Sequence, residues 1–332
     1  MALEKEIILE TRNLKKYFPI GNDNKHFLHA VDDVSITIHK GEIYGIVGES
    51  GSGKSTLGRC ILNLTDITDG VISFKGQRID DLPKKKMDQQ RLNMQMVFQN
   101  PFASFNPRKK LGDIIMEIAN VHIKDLTKAE KKQRLEDLLK MVNLPEDVLE
   151  RYPRELSGGQ LQRFAILRAL YMQPDFIVAD EAVSALDVSV QAQILNLLMD
   201  LRKELDLTMM FISHELTVVE HVCDKVAVLY LGAIMEMADT EELFGNILHP
   251  YTFALLSAKP VENPSMRSES VLLEGNIPNA VDLGEGCRFY ERCWKAKAGV
   301  CDCKTPEYRE LLPGHMVACH FPMTEEERKQ KQ

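Results

Sequence analysis

Residues 48–55 read Gly48-Glu49-Ser50-Gly51-Ser52-Gly53-Lys54-Ser55, the spacing G-x-x-x-x-G-K-[ST]. Glycines so placed let successive backbone N–H groups turn inward on phosphate oxygens, Lys54 reaches the outer phosphates, and the Ser55 hydroxyl can ligand Mg²⁺. The chemistry implied is the binding of a nucleoside triphosphate. A second constellation follows at Phe176-Ile177-Val178-Ala179, an apolar run that ends in Asp180-Glu181. A buried strand that delivers one acid to the Mg²⁺ shell and a second to the attacking water gives Asp180 a metal-binding role and Glu181 a general-base role. Five of the seven cysteines (Cys287, Cys293, Cys301, Cys303 and Cys319) gather near the C-terminal end. In a reducing compartment such a cluster favours metal ligation over disulfides, with free thiols as the plain alternative.

These groups need elements to hold them. Glu42-Ile43-Tyr44-Gly45-Ile46-Val47 has strand character, and Thr56-Leu57-Gly58-Arg59-Cys60-Ile61-Leu62 can open a helix whose N-terminus faces an anion. Short alternating runs over residues 7–47 predict a β-rich start. Over residues 108–150, the capping box Thr127-Lys128-Ala129-Glu130 and the spacing of Leu135, Leu138, Leu139 and Val142 predict helix. The strand at Phe176–Ala179, a helix through Gln191 to Leu205 and a strand at Thr208–Ile212 imply a parallel α/β sheet. Near residue 260 the texture changes to proline, glycine and cysteine with little periodicity, so a main domain over 1–260 and a separate small module over 261–332 are expected. No internal repeat marks a tandem pair of sites.

The 332 residues are 44% hydrophobic and 27% charged, as in a globular protein with a real core. The most apolar stretch, Val226 to Ala238, contains Glu236 and falls short of the ~20 apolar residues of a membrane span. The N-terminus Met-Ala-Leu-Glu-Lys-Glu has no basic-then-apolar signal, which makes the cytoplasm the expected compartment. A net charge of −8 argues against a generic nucleic-acid binder, and Lys84-Lys85-Lys86 reads as a solvated loop.

Leu156-Ser157-Gly158-Gly159-Gln160 adds a serine hydroxyl and two glycine amides at a helix start, a second phosphate cradle. With this pentapeptide the chain resembles, over nearly its whole length, the ATP-binding cassette (ABC) proteins of membrane transporters. The resemblance implies an α/β P-loop NTPase cassette of mixed, largely parallel sheet, with an antiparallel β-subdomain, a helical subdomain at about 100–170 and a small Cys-rich C-terminal module. It also implies a head-to-tail dimer, in which the signature of one subunit closes over ATP held by the other. ATP would meet Gly48, Ser50, Gly51, Ser52, Gly53, Lys54, Ser55 and Thr56 of its own chain, and Ser157, Gly158, Gly159 and Gln160 across the interface. Tyr17 resembles the aromatic that stacks on adenine, Asp187 in Ser184-Ala185-Leu186-Asp187 the residue of the interface loop, and His214 the switch histidine near the γ-phosphate. Mg²⁺ would be held by Ser55, Gln99 and Asp180, with Glu181, His214 and Gln99 in catalysis. One departure is Ala182, where the family usually has proline; that position shapes a turn and leaves the chemistry intact.

Two segments narrow the branch. Val97-Phe98-Gln99-Asn100-Pro101-Phe102-Ala103-Ser104-Phe105-Asn106-Pro107-Arg108 and His249-Pro250-Tyr251-Thr252 are similar to segments of the oligopeptide, dipeptide and nickel importers. Asn13-Leu14-Lys15-Lys16-Tyr17-Phe18-Pro19 looks more like the F-type than the D-type ATPase subunit of that branch. The branch implies uptake of oligopeptides or dipeptides, with nickel as the alternative solute. Its partners would be a homologous D-type ATPase, two transmembrane permease subunits and, indirectly, an extracytoplasmic solute-binding protein, at the cytoplasmic face of the membrane. No nucleic-acid partner is expected, because the long coiled-coil or zinc insertions of cassettes that clamp nucleic acid are missing. Phe102 and Phe105 are candidates either for the permease contact or for burial beneath the helical subdomain. The C-terminal cysteines resemble a domain that holds a [4Fe–4S] cluster, which implies Cys287, Cys293, Cys301 and Cys319 as ligands, with zinc as the alternative metal. Cys301 is preferred to Cys303 by its distance from Pro306, although the stretch after Cys293 is one residue longer than usual and Trp294 replaces a common proline.

Overall fold

The computed structural model describes residues 5–21, 25–257 and 278–331. The chain opens with β1 (Ile7–Ile20), β2 (His26–His39), β3 (Ile43–Val47), α1 (Lys54–Ile61), β4 (Asp69–Phe74) and β5 (Gln77–Arg78). Then come α2 (Lys84–Gln90), β6 (Met94–Val97), α3 (Leu111–His122), α4 (Lys128–Met141), α5 (Gly158–Leu170), β7 (Phe176–Asp180), α6 (Val188–Leu205) and β8 (Thr208–Ser213). Last are α7 (Leu216–Val222), β9 (Lys225–Tyr230), β10 (Ala233–Asp239), α8 (Thr240–Gly245), α9 (Pro250–Ser257), β11 (Tyr308–Leu312), β12 (His315–Ala318) and α10 (Glu325–Lys331). The described residues fall into two compact units, one from the N-terminal end to 8, 39–41 and 82–212, the other 9–38, 42–81 and 213 onward.

In the first unit, β6, β7 and β8 run parallel, with Val97 opposite Ala179 and Asp180 opposite Ile212. All residues of β7 and β8 are buried, which is why these strands read as unbroken apolar runs instead of alternating. α4 starts as its sequence predicts. Thr127 Oγ1 accepts the Glu130 N–H at 3.3 Å, and Glu130 Oε2 accepts the Thr127 N–H at 2.7 Å, while Leu135, Leu138 and Leu139 turn inward. α5 packs against α4, α6 and β6. The two phenylalanines after Gln99 part company: Phe102 is 45% exposed, whereas Phe105 is 5% exposed. Phe105 lies against Phe164 at 5.7 Å between ring centroids, under the Arg168 guanidinium at 4.3 Å.

The second unit carries a four-stranded sheet of order β2-β1-β4-β5, the β-rich start that the sequence predicts. It also carries strands in the order β11-β12-β10-β9-β3, in which only the β3–β9 pair is parallel. Here the cysteine-rich end joins a sheet: β12 adds to the free side of β10, with Glu236 opposite Val317 and Met237 opposite Met316. Beneath that join His315, fully buried, is 2.8 Å from Glu236, also fully buried, and 3.2 Å from Glu242. The Glu236 carboxylate further accepts the N–H groups of Leu248 (2.5 Å) and His249 (3.1 Å). The expected boundary near residue 260 lies outside the described residues. Among the described residues no helix is long and apolar enough to cross a membrane.

Candidate functional site

The phosphate-type loop follows β3, five residues buried without exception, and ends in α1. Gly53 caps α1 at φ 102°, and a Cβ there would stand 2.0 Å from the Ala30 carbonyl oxygen, so only glycine fits this point of the motif. Lys54 is 4% exposed, and its ammonium donates to the carbonyls of Gly48 and Glu49, each at 2.8 Å. The Ser52 hydroxyl is buried and has no hydrogen-bond partner among the described residues. An orphaned hydroxyl in a loop of inward-turned amides fits an oxyanion ligand. Ser50 and Gly51 are exposed at the tip, and Ser55 and Thr56 are half-buried in the first turn of α1.

The loop is also gripped from outside the motif. The Glu49 N–H donates to the Tyr251 hydroxyl at 3.0 Å, and both Glu49 carboxylate oxygens accept from Arg292, at 2.6 and 3.0 Å. The motif spacing singles out neither Arg292 nor this use of Tyr251; two arginines held between Cys287 and Cys293 are the only signal in the sequence. Tyr17 stacks on His29 at 4.1 Å between ring centroids and donates its hydroxyl to Asp32. Burial, reinforced by Asp32, pushes the Tyr17 phenol well above its usual range.

In the first unit the end of β7 assembles a polar cluster. Asp180 is 3% exposed, and Glu181 follows in the left-handed region at φ 46°, its N–H held by the Ile212 carbonyl at 3.0 Å. A non-glycine residue in that region marks backbone held in place for a reason beyond packing. Gln99 Nε2 donates to Glu181 at 2.7 Å and approaches the Ser184 hydroxyl at 3.4 Å. Asp187 caps α6 by accepting the Val190 N–H at 3.0 Å, and the Ser189 hydroxyl holds its carboxyl below the usual range. His214, after β8, is exposed with Glu215 at 3.8 Å. Ala182, at the position of the absent proline, is buried.

The second cradle is the N-terminal turn of α5. Ser157 Oγ accepts the Gln160 N–H at 3.3 Å, and Gln160 Oε1 accepts the Ser157 N–H at 3.1 Å. A Cβ on Gly159 would lie 2.5 Å from Val190, so this turn needs glycine where α5 approaches the start of α6. Ser157 is exposed.

Of the cysteines, Cys301 and Cys319 are buried, Cys287 and Cys293 half-buried, and Cys303 exposed. Burial pushes the Cys287 thiol up to about 11 and the Cys319 thiol to about 12, and the charges of neighbouring cysteines add to both. Cys287 and Cys293 each feel Cys301, and Cys319 feels Cys287 and Cys293. Cys303 instead bonds the Gly299 carbonyl. Among the described residues no three of His, Cys, Asp and Glu are disposed to hold a metal ion.

Comparison with known proteins agrees with these features. Residues 31–184 match the family model "ABC transporter", and residues 235–301 match "Oligopeptide/dipeptide transporter, C-terminal region". The oligopeptide transport ATP-binding protein AppF of Bacillus subtilis is 49% identical over 96% of this chain and 99% of its own length. This chain belongs to the ATP-binding subunits of ABC transporters, oligopeptide/dipeptide type. The dipeptide transport ATP-binding protein DppF of Haemophilus influenzae is 43% identical to this ABC ATPase over 94% of the chain and 96% of its own length. The solved structure of cbiO1 from Clostridium perfringens, described as part of the ABC transporter complex cbiONQ, superposes with TM-score 0.64 at 26% identity, covering 73% of this ABC ATPase and 92% of the solved chain. An ATP-binding cassette solved as a dimer in a post-hydrolysis state with ADP and Pi gives 0.63 at 28% identity, over 70% of this chain and 99% of its own.

Proposed function

We propose that this ABC ATPase is the F-type subunit that powers uptake of oligopeptides or dipeptides through an importer. The observation that carries the reading is the 49% identity to an oligopeptide transport ATP-binding protein, which runs through the cassette and the C-terminal region alike. Its partners are a homologous D-type ATPase and two transmembrane permease subunits, with an extracytoplasmic solute-binding protein beyond them, and it sits peripherally at the cytoplasmic face of the membrane. The cassette occupies 1–260, with its helical subdomain at about 100–170, and the importer C-terminal domain 261–332.

In this reading Tyr17 stacks on adenine, while the amides from Gly48 to Ser55, with Lys54 and Thr56, receive the phosphates. Mg²⁺ is held by Ser55, Gln99 and Asp180, hard oxygen donors that suit it. The Gln99 amide nitrogen is committed to Glu181, which leaves the amide oxygen for the cation. Bound Mg²⁺ supplies charge neutralisation at the phosphate oxygens. Glu181 accepts a proton from the attacking water, its carboxylate becoming neutral as the proton arrives, and the Gln99 contact holds that carboxylate in place. His214 senses the γ-phosphate. Asp187 and the turn Ser157–Gln160 meet the nucleotide of the other subunit when two cassettes close head to tail. Chain movement at Gln99 passes to the exposed Phe102, the part of this segment open to a permease helix.

The C-terminal domain holds a [4Fe–4S] cluster on Cys287, Cys293, Cys301 and Cys319, or zinc in its place. Support comes from the cysteines themselves: Cys301 and Cys319 are buried and Cys287 and Cys293 half-buried, four soft donors of the kind that either metal takes. Brown protein that loses its colour in Cys319→Ser is the expected result, and stoichiometric zinc or the lack of both metals decides between the remaining readings.

Co-purification from membranes, with the bound subunits identified by mass, tests the main reading, followed by reconstitution into vesicles. Expected are two permeases, a second ATPase and ATP-dependent uptake of labelled peptide that stops in Glu181→Gln. Uptake of nickel without peptide, or purification free of permeases, overturns the peptide-importer reading.

A further inference from the structure

Glu49 is an odd choice for its place. It occupies the first open position of the phosphate loop, where a carboxylate faces a ligand bearing several negative charges, and like charges at short range weaken binding. Its charge is met by Arg292, which stands 243 residues away in the chain. The pair is bidentate at 2.6 and 3.0 Å, and the Arg292 side chain is only 5% exposed. Behind the guanidinium stand Tyr230, Tyr251 and Phe289, packed with ring centroids 4.7 to 5.4 Å apart, and the Tyr251 hydroxyl accepts the Glu49 N–H. With the carbonyl of Glu49 bonded to Lys54, the amide, the carbonyl and the side chain of this one residue are all tied.

The same short stretch also carries Arg288. Arg288 donates to Asp32 at 2.5 Å and to the Leu231 carbonyl, and Asp32 is the acceptor of the Tyr17 hydroxyl.

We propose that Arg292 is a positioning residue for ATP: it neutralises the Glu49 carboxylate and draws it off the phosphates, so that the C-terminal domain sets the affinity of the nucleotide loop. Arg288 does the same for the aromatic platform through Asp32. The proposal rests on reading Gly48–Ser55 as the ATP phosphate loop. It goes beyond that reading by making ATP affinity depend on residues outside the cassette.

Fluorescent-ATP titration of the purified full chain, with KM and kcat of its ATPase activity alongside, tests it. Arg292→Gln leaves an unmatched carboxylate beside the phosphates and should raise Kd and KM about tenfold, with kcat changed less than about twofold. The double variant Glu49→Gln/Arg292→Gln removes the carboxylate as well and should return to within about threefold of the parent. A double variant as weak as Arg292→Gln would mean that the arginine merely holds the fold, and overturns the proposal. Should Arg292→Gln fail to fold, Arg292→Lys keeps the charge but not the two-pronged fork and should weaken binding by about threefold; a tenfold loss there would make shape and not charge the arginine's contribution, and overturns the proposal too. Lys54→Ala separates the two layers. If it loses ATP while Arg292→Gln binds like the parent, the proposal fails and the loop assignment stands. If Lys54→Ala itself binds like the parent, the loop assignment fails.

Discussion

The two glycine-containing cradles of this chain are built in opposite ways. Gly48–Ser55 is enclosed: a buried strand feeds it, Lys54 closes back on its carbonyls, and Tyr251 and Arg292 hold Glu49 from elements far along the sequence. Ser157–Gln160 is open: Ser157 is exposed, and its reciprocal capping bonds with Gln160 shape the turn, with Val190 close behind Gly159. A loop that must hold a ligand by itself is braced on several sides. On the proposed head-to-tail closure, the second turn would meet its ligand when another subunit arrives, and needs no more than the right local shape and an exposed face. Because Ser157 Oγ already accepts the Gln160 N–H, its own hydroxyl proton is left to donate outward.

The sharpest test of the comparison lies at Glu181, proposed above to serve hydrolysis and not binding. Glu181→Gln should slow turnover by ~10²-fold or more while leaving ATP bound, as phosphate release and nucleotide titration would reveal. Lys54→Ala strikes the braced cradle itself and should weaken ATP binding by about tenfold or more in the isolated chain, because a charge on the phosphates is lost. Ser157→Ala strikes the open one. It should lower turnover by roughly tenfold with ATP affinity of the single chain unchanged, and an affinity loss like that of Lys54→Ala would erase the distinction between the cradles.

The smallest effect is on stability. Burial favours neutral His315, but Glu236 and Glu242 outweigh it and raise the folded-state pKa above the ordinary 6.5. A raised histidine pKa stabilises in full below about 6.5, the unfolded value, and the contribution fades as pH climbs through the folded value. His315→Gln should therefore cost more in Tm at pH 6 than at pH 9, and an equal loss at both would remove the charge from the account.

Local signals carried most of this architecture. The reciprocal bonds of Thr127 with Glu130 sit where the pattern puts them, and the apolar run before Asp180 is a buried parallel strand. Gln99, which the family pattern assigns to Mg²⁺ and the attacking water, donates to Glu181, although 82 residues separate them. What the sequence hides is pairing at long range. Nothing in the alternation around β11 and β12 announces that they extend the strand order at β10: β11 is an exposed edge strand with little apolar periodicity, and β12, though largely buried, is four residues long. Arg292 looks like any surface cation until the fold brings Glu49 to it. Phe102 and Phe105 have the same side chain three positions apart, and only packing against Phe164 tells which one faces inward.

The join of β12 to β10 has a practical side. Cutting the chain after Ser257 to obtain a minimal cassette would strip β10 of its neighbour and leave a row of unpaired peptide groups, the kind of open margin on which chains stack into aggregates. The same cut removes His315, whose ring meets Glu236, and leaves that buried carboxylate to the N–H groups of Leu248 and His249. Shortened versions of this protein should thus come out of cells as inclusion bodies, and any exchange of C-terminal regions between relatives has to carry residue 236 along with residue 315.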